Sequence, residues 1–149
     1  MGKNKLPSTG ALRALRGAKV DFVVHQYTYE ARGGTAVSSR ELGVDEAQVI
    51  KTLLFEDQDK QPLVVLMHGT MEVSAKSLAR HLGVKSLAPC KPEVAQKHSG
   101  YLVGGTSPFG TKKKLPIYAE ATIFELETIY INGGQRGLLV AISPTVLDQ

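Results

Sequence analysis

Apolar positions along the chain change their spacing from segment to segment. Leu12 and Leu15 follow Ser8-Thr9, a pair suited to cap a helix, and Gly17 reads as its end. Val20–Tyr27 alternates as a strand does, with Phe22 and Val24 on one face and Val23, His25 and Tyr27 on the other. Ala31–Thr35 reads as a flexible loop. Ser38-Ser39-Arg40-Glu41 has the form of a capping box opening a short helix that stops at Gly43. Asp45 is placed to cap a further helical turn. Val49–Phe55 is an unbroken strand of the buried kind; Glu56–Lys60 is a turn, and Pro62–Met67 returns as its hairpin partner.

The second half continues the mixture. A helix is expected from about Glu72 to His81, with Gly83 as its stop, then a short strand over Val84–Leu87. Pro92 suits the first position of a helix that carries Val94 and Ala95 towards His98. Pro116–Ala119, Glu127–Ile131 and Leu138–Ile142 read as strands, the last two joined by a hairpin connection over Asn132–Gly137. Pro144 opens a helical segment. The chain shows no internal repeat, no linker and no regular strand–helix–strand rhythm. That pattern predicts an α/β domain with a mixed, partly closed, barrel-like sheet and helices around it. The 149 residues are expected to form one domain, with residues 1–8 as a polar tail.

Composition narrows the class. Hydrophobic residues are 42% and charged residues 21%, globular values that exclude a disordered chain. One cysteine excludes an internal disulfide framework and a thiolate zinc site, and fits a reducing cytoplasm. The apolar run Leu63–Met67 falls far short of the roughly 20 residues that span a bilayer, and the first ten residues lack a signal peptide's apolar stretch, so no membrane association is expected. Eighteen basic against fourteen acidic residues give a net charge of +4, which permits an anionic partner without demanding one.

Candidate chemistry is sparse. Lys51 shares a strand face with Val49, Leu53 and Phe55, where an ammonium must reach water or an anion. A snorkelling or edge-guarding lysine fits as well as an anion-binding one. Seven of the 15 glycines fall within 100–110 and 133–137. Gly104-Gly105-Thr106-Ser107-Pro108 combines bare backbone with two hydroxyls, either as plain turns or as N–H groups aimed at an oxyanion, ribose or phosphate. The spacing matches neither a dinucleotide fingerprint nor a P-loop. Lys112, Lys113 and Lys114 follow that loop and Arg136 lies in a later one; a solvated surface and an RNA backbone contact are both open readings. The four histidines are scattered without metal-ligand spacing, so no metal and no cofactor are expected. Cys90 has no adjacent histidine and is discounted as a nucleophile.

Three segments taken together carry a resemblance. Val49-Ile-Lys-Thr-Leu-Leu-Phe55, Gly100-Tyr-Leu-Val-Gly-Gly-Thr-Ser-Pro-Phe-Gly110 and Ile129-Tyr-Ile-Asn-Gly-Gly-Gln-Arg-Gly137, preceded by His25-Gln-Tyr27, resemble the YbaK/EbsC family of aminoacyl-tRNA deacylases. That family is related to the editing domain of bacterial prolyl-tRNA synthetase, and the resemblance spans roughly residues 10–147. It implies hydrolysis in trans of a mischarged tRNA(Pro), with Cys-tRNA(Pro) first and Ala-tRNA(Pro) as the alternative, and prolyl-tRNA synthetase as a partner. A non-catalytic module that binds tRNA or the synthetase is the third reading. The resemblance makes Lys51 the central functional residue; the backbone N–H groups near Gly104 and Gly105 are the candidate oxyanion donors for an ester that is already activated. It puts Tyr27 and Gly104 on the wall of the aminoacyl pocket; Thr52, Thr106, Ser107, Pro108, Asn132 and Gly133 are the further substrate-binding candidates, and Lys112, Lys113 and Arg136 the candidate contacts to tRNA. For a cysteinyl ester it implies attack by the substrate's own thiol, which needs no protein nucleophile. Members of the YbaK-like subgroup often carry a small hydroxyl residue where Asn132 stands, and some carry a polar or acidic residue where Leu139 stands, so the chain departs from them at both positions.

Overall fold

The computed structural model describes residues 8–31 and 33–148; the polar tail expected over 1–8 lies, except for Ser8, outside them. Its elements are α1 (Gly10–Gly17), β1 (Val23–Gln26), α2 (Gly34–Leu42), β2 (Val49–Asp57), β3 (Pro62–His68), α3 (Ala75–Leu82), β4 (Leu87–Pro89), α4 (Pro92–Ser99), β5 (Ile117–Ala119), β6 (Ile129–Asn132) and β7 (Leu138–Ile142). Short 3-10 turns occupy Glu46–Gln48, Ala121–Glu125 and Pro144–Asp148.

The seven strands form one mixed sheet in the order β1-β7-β6-β2-β3-β5, with β4 also pairing with β2. The β2–β6 and β3–β5 pairs are parallel and the others antiparallel. The class is thus the mixed α/β one expected, but the sheet does not close: β1 and β5 remain its two ends among the described residues.

The β2–β3 hairpin is central because both strands are apolar on both faces. Val64 and Leu66 pack with Ile50 and Leu54 against Leu12, Leu15 and Ile123 on one side. Leu63 and Val65 pack with Phe55 against Ala79 and Leu87 of α3 and β4 on the other. Lys51 pairs with Met67 and Thr52 with Leu66 in this ladder.

Most helix signals act as read. Thr9 caps α1 by accepting from the Leu12 N–H at 3.0 Å, and Asp45 caps its turn through Ala47. Pro92 opens α4. Gly43 and Gly83 end α2 and α3 in the left-handed conformation that a glycine adopts without strain.

Several boundaries move, among them the starts of β1, at Val23 rather than Val20, and of β6, at Ile129 rather than Glu127. The helix expected to open at Ser38 begins at Gly34, inside the segment read as a loop. Ser38 and Ser39 lie buried in its interior and turn their hydroxyls back onto the Thr35 and Ala36 carbonyls. The strand read over Val84–Leu87 forms three residues later, where Leu87, Ala88 and Pro89 meet Asp57, Glu56 and Phe55. The helix read from Glu72 starts at Ala75, capped by Ser74.

Candidate functional site

One strand edge organises a large cavity. On one side β2 is fully paired with β3 from Ile50 to Glu56. On its other side β6 pairs only with Val49 and Ile50, and β4 only with Phe55, Glu56 and Asp57. A cavity of about 830 Å³ opens at the gap, and all seven residues from Val49 to Phe55 line it. Consecutive strand residues point to opposite faces, so a cavity touching every one of them lies along the strand's edge.

Lys51 reaches out of this edge. Its Nζ donates to the Met71 carbonyl at 2.5 Å and lies 4.0 Å from Glu72 Oε1, whose side chain is almost fully exposed. The lysine side chain itself is only 20% exposed. The cost expected for an ammonium among apolar neighbours is met by a backbone carbonyl and by access to the cavity.

The glycine-rich segment forms the opposite wall. It is a compact loop tied by Tyr101, whose hydroxyl donates to Phe109 O at 2.6 Å and to Gly110 O at 3.2 Å. Gly105 N–H donates to Leu102 O at 2.8 Å, and Thr106 Oγ1 to the same carbonyl at 3.3 Å. Gly104 has φ +91°, and its carbonyl accepts from Asn132 Nδ2 at 3.2 Å. Asn132 Oδ1 in turn accepts from Gly134 N and Gln135 N within the β6–β7 hairpin turn, so one end of this side chain holds the turn and the other ties the loop to it. A Cβ on Gly105 would stand 2.7 Å from Arg136 N, so this glycine is required by close backbone packing.

Arg136 crosses the mouth. Its Nε donates to Val103 O at 2.9 Å, and its guanidinium lies 5.2 Å from the centre of the Tyr29 ring. Tyr27, half-buried on the same side, has its phenol pushed above the ordinary value, chiefly by burial and secondarily by Tyr29. Cys90 also lines the cavity; burial first, then Glu56, raises its thiol to about 11, so at neutral pH it is a thiol and a poor nucleophile.

Of the expected site residues, Tyr27, Lys51, Thr52, Gly104, Thr106, Asn132 and Arg136 line this cavity. Gly105, Ser107, Pro108 and Gly133 stand outside its lining. Ser107 Oγ is fully buried and accepts from Phe109 N; Pro108 faces a separate apolar groove beside α1; Gly133 is held by Thr9 and Leu138. Lys112 and Lys113 are exposed, away from the cavity. Lys113 Nζ meets His98 Nδ1 at 2.9 Å, and burial, then Lys113 and Lys97, lowers that imidazole's pKa. The basic loop and the end of α4 therefore form one cationic surface.

Sequence reasoning missed Tyr29 and the α2 wall (Thr35, Val37, Ser38), which also line the cavity. Tyr29 carried a signal, since it stands two residues after Tyr27 in extended chain. The α2 wall was hidden by Gly33-Gly34, which reads as a loop.

Residues 32–149 match the family model described as an aminoacyl-tRNA editing domain, and the chain belongs to that family. Among relatives, it is 28% identical to EbsC of Enterococcus faecalis, named as a candidate Cys-tRNA(Pro)/Cys-tRNA(Cys) deacylase, over 99% of this chain and 91% of that one. It is 40% identical, over 64% of its length, to a segment of the proline–tRNA ligase of Ligilactobacillus salivarius that makes up 17% of that enzyme. Among solved structures, one described as a candidate trans-editing enzyme for prolyl-tRNA synthetase superposes with a TM-score of 0.80 at 21% identity, covering 95% of this chain and 91% of that one.

Proposed function

We propose that this chain is a trans-acting aminoacyl-tRNA deacylase that clears mischarged tRNA(Pro), with cysteinyl-tRNA(Pro) as its substrate. The observation that carries this reading is the cavity along β2, where Lys51 and Gly104 line the same space. An aminoacyl ester is already activated, so a catalyst needs mainly to position it and stabilise charge growing on its carbonyl oxygen. Lys51 is the cation on the strand edge placed for that charge or for the terminal phosphate. Gly104 is the loop glycine on the cavity wall, whereas the Gly105 amide is committed to Leu102. The substrate's own thiol is the nucleophile in this reading, so no side chain of the protein attacks. The sulfur bonds to the carbonyl carbon, the ribose oxygen leaves with a proton, and a cysteine thiolactone is released.

Lys112, Lys113 and Arg136 face the tRNA, and prolyl-tRNA synthetase supplies selection of tRNA(Pro). The resemblance to EbsC, named for a Cys-tRNA substrate, supports the amino acid chosen. One observation favours alanyl-tRNA(Pro) as a second reading: Leu139 presents an apolar wall and both ends of the Asn132 side chain are already bonded. A non-catalytic tRNA-binding module is the third. Release of labelled amino acid from Cys-, Ala- and Pro-tRNA(Pro), measured side by side, separates them. Fast release from Cys-tRNA(Pro) alone is expected; release from none of the three would leave the binding module.

A further inference from the structure

Between Ile50 and Phe55 the edge of β2 away from β3 has no strand partner, and one residue in that stretch turns both of its backbone groups outward with nothing among the described residues to meet them. Leu54 O accepts from Cys90 N at 2.9 Å, so the Leu54 backbone points away from β3. Backbone groups alternate along a strand, so Ile50 and Thr52 point the same way. Ile50 is taken by its parallel pairing with β6, opposite Ile131. Leu54 is held at the other end by Cys90. Thr52 alone faces the cavity with its N–H and C=O outside any strand ladder on that side. Its side-chain Oγ1 is also buried with no hydrogen-bond partner among the described residues. Buried polar groups are nearly always paired, so three uncommitted groups on one residue, lining a cavity, point to a ligand that completes them.

In an antiparallel sheet, two facing residues exchange a pair of bonds, each N–H to the other's carbonyl. An aminoacyl ester has the same two groups on one residue, an α-ammonium and a carbonyl. We propose that the aminoacyl group docks as a single-residue strand against Thr52. Its ammonium donates to the Thr52 C=O and Oγ1, and its ester carbonyl accepts from the Thr52 N–H. This is strand addition reduced to one residue. Antiparallel direction turns the ester, and hence the ribose, towards the Lys51 end of the gap. The Thr52 N–H then also faces the oxygen on which charge grows during ester cleavage. A ligand without a free α-amine lacks the donor that Oγ1 requires, so Thr52 selects for an unmodified aminoacyl group.

This inference rests on the deacylase reading, and the experiment keeps the two apart. Cleavage of Cys-tRNA(Pro) and of N-acetyl-Cys-tRNA(Pro) is measured for the wild-type protein, Thr52→Val and Thr52→Ser. Thr52→Val should lower kcat/KM on Cys-tRNA(Pro) by roughly ten- to hundred-fold, the size of a hydrogen bond to a charged group. Thr52→Ser should restore most of it. On the N-acetyl substrate, which has no ammonium, Val and Thr should cleave at the same slow rate. The Thr52→Val protein should melt at or above the wild-type temperature, because it loses an unpaired buried hydroxyl; Thr52→Ala provides the same comparison if valine does not pack. Equal loss on both substrates, or no loss on Cys-tRNA(Pro), overturns the assignment. No cleavage by the wild-type protein of any aminoacyl-tRNA overturns the deacylase reading instead.

Discussion

Lys51 Nζ lies 2.5 Å from the backbone oxygen of Met71, and this contact holds a cation at the edge of the cavity without a carboxylate bound tightly to it. The nearest acid, Glu72, is 4.0 Å away and solvent-exposed. An ammonium held by a carbonyl and bordering a cavity is free to exchange that partner for a negatively charged one. Lys51→Ala should therefore reduce aminoacyl release by about 10²-fold or more, the scale of losing one group that stabilises an oxyanion. Because the side chain is partly exposed and belongs to neither core cluster, the thermal midpoint should change little. Single-turnover deacylation and a thermal melt on the same preparation test both statements.

Gly104 and Gly105 should respond differently to alanine. At Gly105 the new Cβ would meet the Arg136 and Gln135 backbone at 2.7 and 2.9 Å, and backbone cannot swing aside. The loop would separate from the hairpin, with a stability loss of roughly 1–3 kcal/mol. At Gly104 the nearest atom is the mobile end of Tyr29, and the strain comes from φ +91°. Gly104→Ala should lower deacylation more than it lowers stability. Urea unfolding and single-turnover rates on the two variants separate these effects.

The surface of Lys112 and Lys113 should govern affinity for RNA in general. Replacing both with alanine should weaken binding to every tRNA alike and reduce the salt dependence by about one unit of slope per lysine. Cleavage at saturating tRNA should be unaffected, since neither residue lines the cavity. Fluorescence titrations of cognate and non-cognate tRNA across a range of salt concentrations test this.

A pH effect is expected at Glu120. Its carboxylate accepts from the Thr122 hydroxyl and from Thr122 N at 2.6 Å, and these bonds lower its pKa, with nearby His68 as a lesser cause. A folded value below the unfolded one stabilises the native state above the ordinary glutamate range. That contribution fades as pH falls through this range towards the folded value. Glu120→Gln should therefore cost more stability at pH 7 than at pH 4. Denaturant midpoints of the two proteins at both values measure the difference.

Much of the fold was legible because local rules and burial agreed. The β2–β3 hairpin is apolar on both faces, and nothing but a buried central pair satisfies Val49–Phe55 and Pro62–Met67 together. Thr9, Pro92, Gly43 and Gly83 act through bonds to their near neighbours, which a linear reading captures. The start of α2 was not legible. Gly33-Gly34 has poor helix propensity, yet the segment is helical where Val37, Ser38 and Ser39 become buried.

The candidate site divides the same way. Sequence alone determined that Lys51 lies on an apolar strand, that a glycine and hydroxyl loop follows α4, and that three motifs in order resemble a deacylase family. Only the tertiary structure decided which of these groups meet. Gly105 and Ser107 are drawn into packing and turn bonds that hold the loop, while Gly104 faces the cavity. The gap that leaves Thr52 open exists because β6 leaves β2 after Ile50 and β4 joins it only from Phe55. Where two distant strands stop is set by how they pack across the sheet, and no local pattern in Val49–Phe55 encodes it.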